Sequence, residues 1–396
     1  VTGGSAGDAT DDSDSGFDID PKDEYDPMCK KATFPGGIPD LDVYILLDAT
    51  ASMKGSTGEN PSPEVWIPVI NALKDLVGQE MAYGMGVGLT YLPVPPADVT
   101  KLPGYCRPPL FGNIPCPPGK GECEAPMGPG SGLVTGYACS NSCMPATGAV
   151  DCGNYGPCVG FMMNPLSPKH FCQSLISPSV SCDPPDYGKP AVPIAALPGN
   201  KNAIVDALNA KKADGDATPT QPALEGTIAY MKEWGKAHPD HILNILFATD
   251  GLPNNCTHNN IDGAATVAKN GLATYPPVST FVLGIGKLSD LNKIAVAGGT
   301  SKAYLADGDT VAAELVEVFN EIRANGECQF VIPDPEPGTK HDFDKVNVYY
   351  TPLGADEPEL VWNVANPDHC DPVEGGWYYD DPTKTNPSKI ILCPAT

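Results

Sequence analysis

Residues Leu46 to Ser56 read LLDATASMKGS: an apolar run ends in Asp48, and Thr50 and Ser52 then alternate with alanines. Three oxygen-bearing side chains on alternate positions, directly after a strand pattern, admit three readings. Asp48 or Ser52 caps a following helix, the group is catalytic, or it is half of a metal site. The surrounding sequence has to choose.

Working outward, LDVYILLD (41–48) is a short continuous apolar run, the pattern of a strand buried on both faces. Pro63 is placed to open a helix in which Val65, Val69, Leu73, Leu76 and Val77 recur at three- and four-residue steps. AYGMGVGLTYLP (82–93) predicts the next strand, its glycines permitting close backbone approach. After an interruption the rhythm resumes with VPIAAL (192–197), a helix over 202–213 and a longer one over 221–236. HILNILFATDG (241–251) is the strongest strand pattern. A helix over 261–268, strand 278–286, a short helix after Ser289, strand 302–306 and helix 310–324 complete the series. Such alternation with short connections predicts an α/β fold with a doubly wound, mainly parallel sheet.

Three regions break that rhythm. Residues 1–38 are Gly/Ser/Asp-rich and read as an acidic flexible tether; no register in them fits a calcium loop. Residues 94–190 interrupt the α/β domain (39–325) as a Cys/Pro/Gly-rich insertion with little regular structure expected. Residues 326–396, with CQFVIP, KVNVYYTPL, ELVWNVAN, GGWYYDD and KIILC between turn residues, read as a small disulfide-linked β module.

The chain has 396 residues and a formal net charge of −25, which argues against nucleic acid or an anionic membrane surface as partner. Its 14 cysteines lie in Pro/Gly/Ser-rich context, which favours disulfides in an oxidising compartment, extracellular, periplasmic or on a cell surface. Zinc is the competing use for Cys139 with Cys143, Cys152 with Cys158, and Cys256 with His258, but no paired C-x2-C knuckles occur. Nine cysteines fall in the insertion, an odd number, so full oxidation requires at least one bridge from it to the rest of the chain. No apolar run approaches the ~20 residues of a membrane span. Export would require a signal peptide removed ahead of Val1, and membrane attachment a lipid anchor outside this chain.

Ligand sites in doubly wound sheets form at the carboxyl ends of strands. Two strand patterns end in aspartate, Asp48 and Asp250, and a hydroxyl-rich loop, DGDATPTQPAL (214–224), precedes the helix that leads to the second. If those strands are neighbours, Asp48, Thr50, Ser52, Thr218 and Asp250 converge. Five hard oxygens suit Mg²⁺, Mn²⁺ or Ca²⁺. With only two carboxylates, such a site keeps positions open for an acidic group of a partner. Thr220 is a rival for Thr218. Taken singly, each residue also fits a turn or a cap.

DATASM, DATPTQPAL and ATDG together resemble the three loops of the metal-ion-dependent adhesion site of von Willebrand factor A domains, over roughly 40–92 and 190–325. Position by position the resemblance implies Asp48, Thr50, Ser52, Thr218 and Asp250 as the metal set, Thr50 standing where serine is usual. It also implies an antiparallel strand at 192–197, so that the insertion leaves and returns near the metal edge, either as a rim around a ligand or as an ornament that touches none. The implied partner is an extracellular substratum or protein ligand with acidic groups. The alternative is an envelope scaffold whose metal site only stabilises. No H-E-x-x-H, G-x-S-x-G or P-loop is present, and His258 reads as a solvated loop residue, so no enzyme is expected. The acidic tether, cysteine-rich insertion and terminal module further resemble myxobacterial outer-membrane surface lipoproteins. That likeness implies gliding motility and envelope motility or secretion machinery as partner.

Overall fold

The computed structural model describes residues 40–55, 64–98, 180–332, 340–350, 358–393 and 395–396, with short stretches between 100 and 172. The tether and Pro63 lie outside the described residues, all of which fall within one unit, Gly36–Thr396. In chain order the strands up to the last helix are β1 (Leu41–Asp48), β2 (Gly86–Leu92), β3 (Cys123–Glu124), β4 (Ala138–Cys139), β5 (Cys158–Phe161), β6 (Lys169–Cys172), β7 (Val192–Ala196), β8 (Ile242–Thr249), β9 (Val278–Ile285) and β10 (Tyr304–Ala306). The helices are α1 (Trp66–Leu76), α2 (Pro184–Tyr187), α3 (Lys201–Ala210), α4 (Thr220–Ala237), α5 (Ile261–Ala273), α6 (Asn292–Ala297) and α7 (Val311–Glu327).

Six strands form the central sheet in the order β10-β9-β8-β1-β2-β7, parallel throughout except where β7 runs antiparallel to β2. β1 has no polar alternation because helices cover both its faces. Val43, Ile45 and Leu47 pack with α1, α3 and α7, whereas Tyr44 and Leu46 pack with α4, α5 and α6. The strand glycines act as expected: a Cβ on Gly88 would stand 2.8 Å from both Tyr44 Cδ2 and Ile194 Cγ1.

The insertion leaves from the end of β2, where Leu92 lies opposite Asp48. Its two ends are drawn together where Ser181 N donates to Val94 O at 2.8 Å. It has more regular structure than expected, the hairpins β3–β4 and β5–β6 and the turn of α2. Cysteines stand opposite one another in each hairpin, Cys123 with Cys139 and Cys158 with Cys172, and each is bridged to a cysteine outside its hairpin, which ties the hairpins to the surrounding insertion. Four bridges lie within it: Cys106–Cys123, Cys116–Cys139, Cys143–Cys158 and Cys152–Cys172. The expected link outward is Cys182–Cys256. Cys106, Cys116 and Cys139, and likewise Cys143, Cys152 and Cys172, gather as metal ligands would, yet every one of these sulfurs is in a disulfide.

After α7 the chain forms β11 (Gln329–Val331), β12 (Val348–Tyr350), β13 (Glu359–Val361), β14 (Trp377–Tyr379) and β15 (Lys389–Leu392). These make an antiparallel sheet β11-β15-β14 and a ribbon β12–β13 around Val361, Trp377 and Tyr379, closed by Cys370–Cys393. The module sits at the amino end of β1, opposite Asp48. There Lys389 Nζ donates to the His241 carbonyl and Ser388 Oγ to the Pro239 carbonyl at 2.7 Å. One element ends earlier than its pattern: α3 stops at Ala210 because Lys211 turns extended, leading the chain to Gly215 beside β1.

Candidate metal site

Register brings the two aspartates together. β1 and β8 are neighbours with Leu47 opposite Ala248, so Asp48 and Asp250 leave adjacent strands at the same edge. The third loop is laid alongside by backbone bonds: Gly215 N donates to Ala49 O at 3.1 Å and Ala51 N to Gly215 O at 2.8 Å. Position 215 has to be glycine, since a Cβ there would stand 2.5 Å from Pro93 Cδ.

Around this edge the side-chain oxygens form a chain. Asp48 Oδ1 accepts from Thr50 N at 2.8 Å, and Asp48 Oδ2 from Thr249 Oγ1 at 2.6 Å. Thr50 Oγ1 and Ser52 Oγ lie 2.8 Å apart, and Ser52 Oγ donates to Asp250 Oδ1 at 2.8 Å. Asp48, Thr50 and Thr218 are buried, whereas Ser52 is exposed, so the cluster opens to solvent on one side. Thr218 Oγ1 lies 3.3 Å from where a Gly251 Cβ would stand, which leaves little room for a side chain after Asp250.

The helix-cap reading fails. α1 begins at Trp66 after Val65, so neither Asp48 nor Ser52 caps it, and a short 3-10 turn, Ala51–Lys54, follows β1. The rival Thr220 is the first residue of α4, with its hydroxyl buried and without a hydrogen-bond partner among the described residues. His258 is exposed, as read from sequence.

Electrostatically this edge is short of positive charge. Burial pushes the Asp48 carboxyl up to about 6, with neighbouring Asp250 adding to the rise, against the hydrogen bonds from Thr249 and Thr50. Burial also raises Asp250, against the Ser52 hydroxyl. Two desolvated carboxylates with the hydroxyls of Thr50 and Ser52 form a donor set for a hard divalent cation, while the Thr218 hydroxyl lies beside Gly251 and accepts from Asn254 Nδ2 at 3.4 Å. Magnesium–oxygen bonds of about 2.1 Å put neighbouring ligand oxygens about 3 Å apart. The 2.8 Å steps from Thr50 to Ser52 to Asp250 match that spacing. The residues therefore fit such an ion.

Sequence reasoning passed over three residues that shape this edge. Thr249 reads as an ordinary strand threonine, but it donates to Asp48 and accepts from Gly251 N at 3.1 Å. Asn254 and Asn259 read as turn residues, but Asn254 Oδ1 accepts from Thr218 N at 3.1 Å and Asn259 Nδ2 donates to Thr218 O at 2.9 Å. The only signal for them in the sequence is the run of asparagines soon after Asp250.

No protein-family model and no curated protein matches the chain. Among solved structures, it is similar to a von Willebrand factor type A protein from Catenulispora acidiphila at 13% identity and TM-score 0.35, over 74% of this chain and 44% of that one. It is similar to the pilus adhesin SpaC from Lactobacillus rhamnosus GG at 12% identity and TM-score 0.37, over 78% of this chain and 36% of that one. The chain thus spans less than half the length of either. The SpRpn10 VWA domain gives 9% identity and TM-score 0.33, over 70% of this chain and 94% of that domain. The strand order and the three loops, more than likenesses at this level, define the fold as a doubly wound, mainly parallel sheet with a disulfide-rich insertion and a small antiparallel module.

Proposed function

We propose that this protein is a cell-surface adhesin that binds an external substratum or protein ligand through a divalent cation held by Asp48, Thr50, Ser52, Thr218 and Asp250. The observation that carries this reading is the open chain of oxygens from Asp48 to Asp250, in which two carboxylates are desolvated side by side. A bound Mg²⁺, Mn²⁺ or Ca²⁺ would supply positive charge and an open position for an acidic group. The protein's own part is to hold the oxygens: Thr249 fixes one Asp48 oxygen, the Thr50 amide fixes the other, and Ser52 orients Asp250. The role is binding, with no catalytic step.

The disulfides suit an oxidising compartment, extracellular or at the cell surface, and no described helix is long and apolar enough to cross a membrane. The sequence resemblance to myxobacterial surface lipoproteins extends the proposal to an outer-membrane lipid anchor outside this chain, gliding motility, and envelope motility or secretion machinery as partner. A second reading, an envelope scaffold with a purely stabilising site, draws on the way the hydroxyls of Thr50 and Ser52 already satisfy one another and Asp250. Asp48→Ala separates the two. Under the adhesion reading it removes about two-thirds or more of cell attachment at unchanged surface display. Full attachment in that variant leaves only the scaffold.

A further inference from the structure

Thr218 takes part in the proposed site through its hydroxyl, as Thr50 and Ser52 do, but unlike them it lies outside the chain of hydrogen bonds from Asp48 to Asp250. One bond to it is local, from Thr220 N to Thr218 O at 2.9 Å, and the rest come from outside its own segment. Thr218 N donates to Asn254 Oδ1 at 3.1 Å, and Thr218 O accepts from Asn254 N at 3.0 Å and from Asn259 Nδ2 at 2.9 Å. Asn259 is 8% exposed; its Nδ2 also reaches Asn254 O at 2.6 Å, and its Oδ1 accepts from Gln221 N at 2.8 Å. The loop after Asp250 therefore grips both backbone groups of Thr218 and the first turn of α4.

That loop does not keep its shape by its own preferences alone. Asn255, Cys256 and His258 all have φ of 60°, a left-handed conformation that asparagine and histidine accept more readily than most side chains but that Cys256 disfavours. The insertion holds it there. Cys256 is bridged to Cys182 and packs in the insertion's own cluster with Cys152 and Tyr155. Thr257 N donates to Asn154 O at 2.9 Å, Thr257 Oγ1 donates to Gly153 O at 2.8 Å, and Gly156 N donates to Thr257 Oγ1 at 3.0 Å. The contacts run without a gap from the insertion through Cys256 and Thr257 to Asn254 and Asn259, and so to Thr218.

We infer that Asn254 and Asn259 are positioning residues for Thr218, and that through their loop the cysteine-rich insertion sets the cation affinity of the site. The inference rests on the metal reading above. It gives the insertion a task apart from ligand contact: it braces a metal-site loop that would otherwise relax.

The test is Mn²⁺ binding to the full chain by calorimetry after EDTA treatment, with urea unfolding in EDTA as the measure of folding. Asp48→Ala is the reference and should abolish binding. Asn254→Ala, at an exposed position, and Thr257→Val, which keeps the side-chain shape, should each weaken Mn²⁺ about ten-fold or more, the range for residues that orient metal ligands. Each should still unfold in one cooperative transition in EDTA, with a midpoint lowered only by the lost hydrogen bonds, a result that a general loss of structure would not give. Wild-type Mn²⁺ affinity in both variants, with binding lost in Asp48→Ala, overturns the inference and leaves the metal reading standing. Wild-type protein that binds no Mn²⁺, or Asp48→Ala protein that binds as wild type does, overturns the metal reading and the inference together.

Discussion

Replacing Asp48 by asparagine in metal-free protein tests whether this carboxylate is kept at an energetic cost that only a cation relieves. Asp48 is fully buried, and burial, with Asp250 beside it, carries its carboxyl from an ordinary 3.8 up to about 6. Between those values the folded chain binds more protons than the unfolded one. Stability from this group is therefore greatest below about pH 3.8 and falls as pH rises through about 6. At about 1.4 kcal/mol per pH unit, the ionised group costs the metal-free protein about 3 kcal/mol at neutral pH. Asparagine carries no charge and still offers one acceptor to Thr50 N. Its amide can donate to Thr249 Oγ1, whose hydrogen is free to turn to the Gly251 carbonyl 3.2 Å away. In urea unfolding with EDTA at pH 7.5, Asp48→Asn should be more stable than wild type by about 1–3 kcal/mol, allowing for imperfect hydrogen bonding. The advantage should vanish near pH 4. Saturating Mn²⁺ should reverse the order, since only wild type gains from mass action. An asparagine variant that is less stable than wild type in EDTA by the same margin at pH 4 and pH 7.5 would refute the reasoning. The hydrogen bonds of Asp48, and not its charge, would then dominate.

Two further substitutions probe how the added regions are fastened. Gly226 lies on the face of α4 that meets α2; a Cβ there would overlap the Pro184 carbonyl and stand 2.8 Å from Tyr187 Cβ. Alanine gains up to about 1 kcal/mol in helix propensity, but backbone overlap outweighs it. Gly226→Ala should lose about 1–3 kcal/mol net in urea unfolding, and a stabilised variant would contradict the contact. At the opposite pole, burial pushes the Lys389 ammonium down to about 8 from 10.5. The unfolded chain holds that proton more tightly, so stability from this group rises between about pH 8 and 10.5. Lys389→Met should flatten the curve over that window by up to about 3 kcal/mol, and parallel wild-type and variant curves would argue against a buried ammonium.

The parts of this molecule that were legible in the sequence are those fixed by local physics. β1 and β8 show as continuous apolar runs because both faces are covered, and α1 shows its period because one face meets the sheet. Asp48 and Asp250 stood out because a carboxylate that ends a buried strand has few structural uses. Asn254 and Asn259 did not, since their partner Thr218 lies 36 and 41 residues away and asparagine in a loop ordinarily serves its own turn. The cysteine count required a bridge out of the insertion but could not select Cys182–Cys256, because spacing carries no information on which sulfurs the fold brings within reach.

Two buried aspartates on β1 show what separates a structural acid from a candidate ligand. Asp42, 1% exposed, faces groups that answer its charge: Trp234 Nε1 donates to its Oδ2 at 2.5 Å and His241 Nδ1 lies 2.7 Å from the same oxygen. The Lys389 ammonium, bound to the His241 carbonyl, is held up in part by the Asp42 charge. Burial raises the Asp42 carboxyl, but the Trp234 indole and the imidazoles of His241 and His238 act against the rise. Asp48, six residues along the same strand, has a hydroxyl and a backbone amide, and its charged neighbour is another carboxylate. A buried acid surrounded by donors and cations is complete within the fold, and the C-terminal module is part of what completes it. A buried acid placed against a second acid, at an edge open to solvent, gains its balance from a cation. The same chain thus closes one end of β1 with its own side chains and leaves the other, where two carboxylates meet, open to solvent, the end at which the proposed cation would sit.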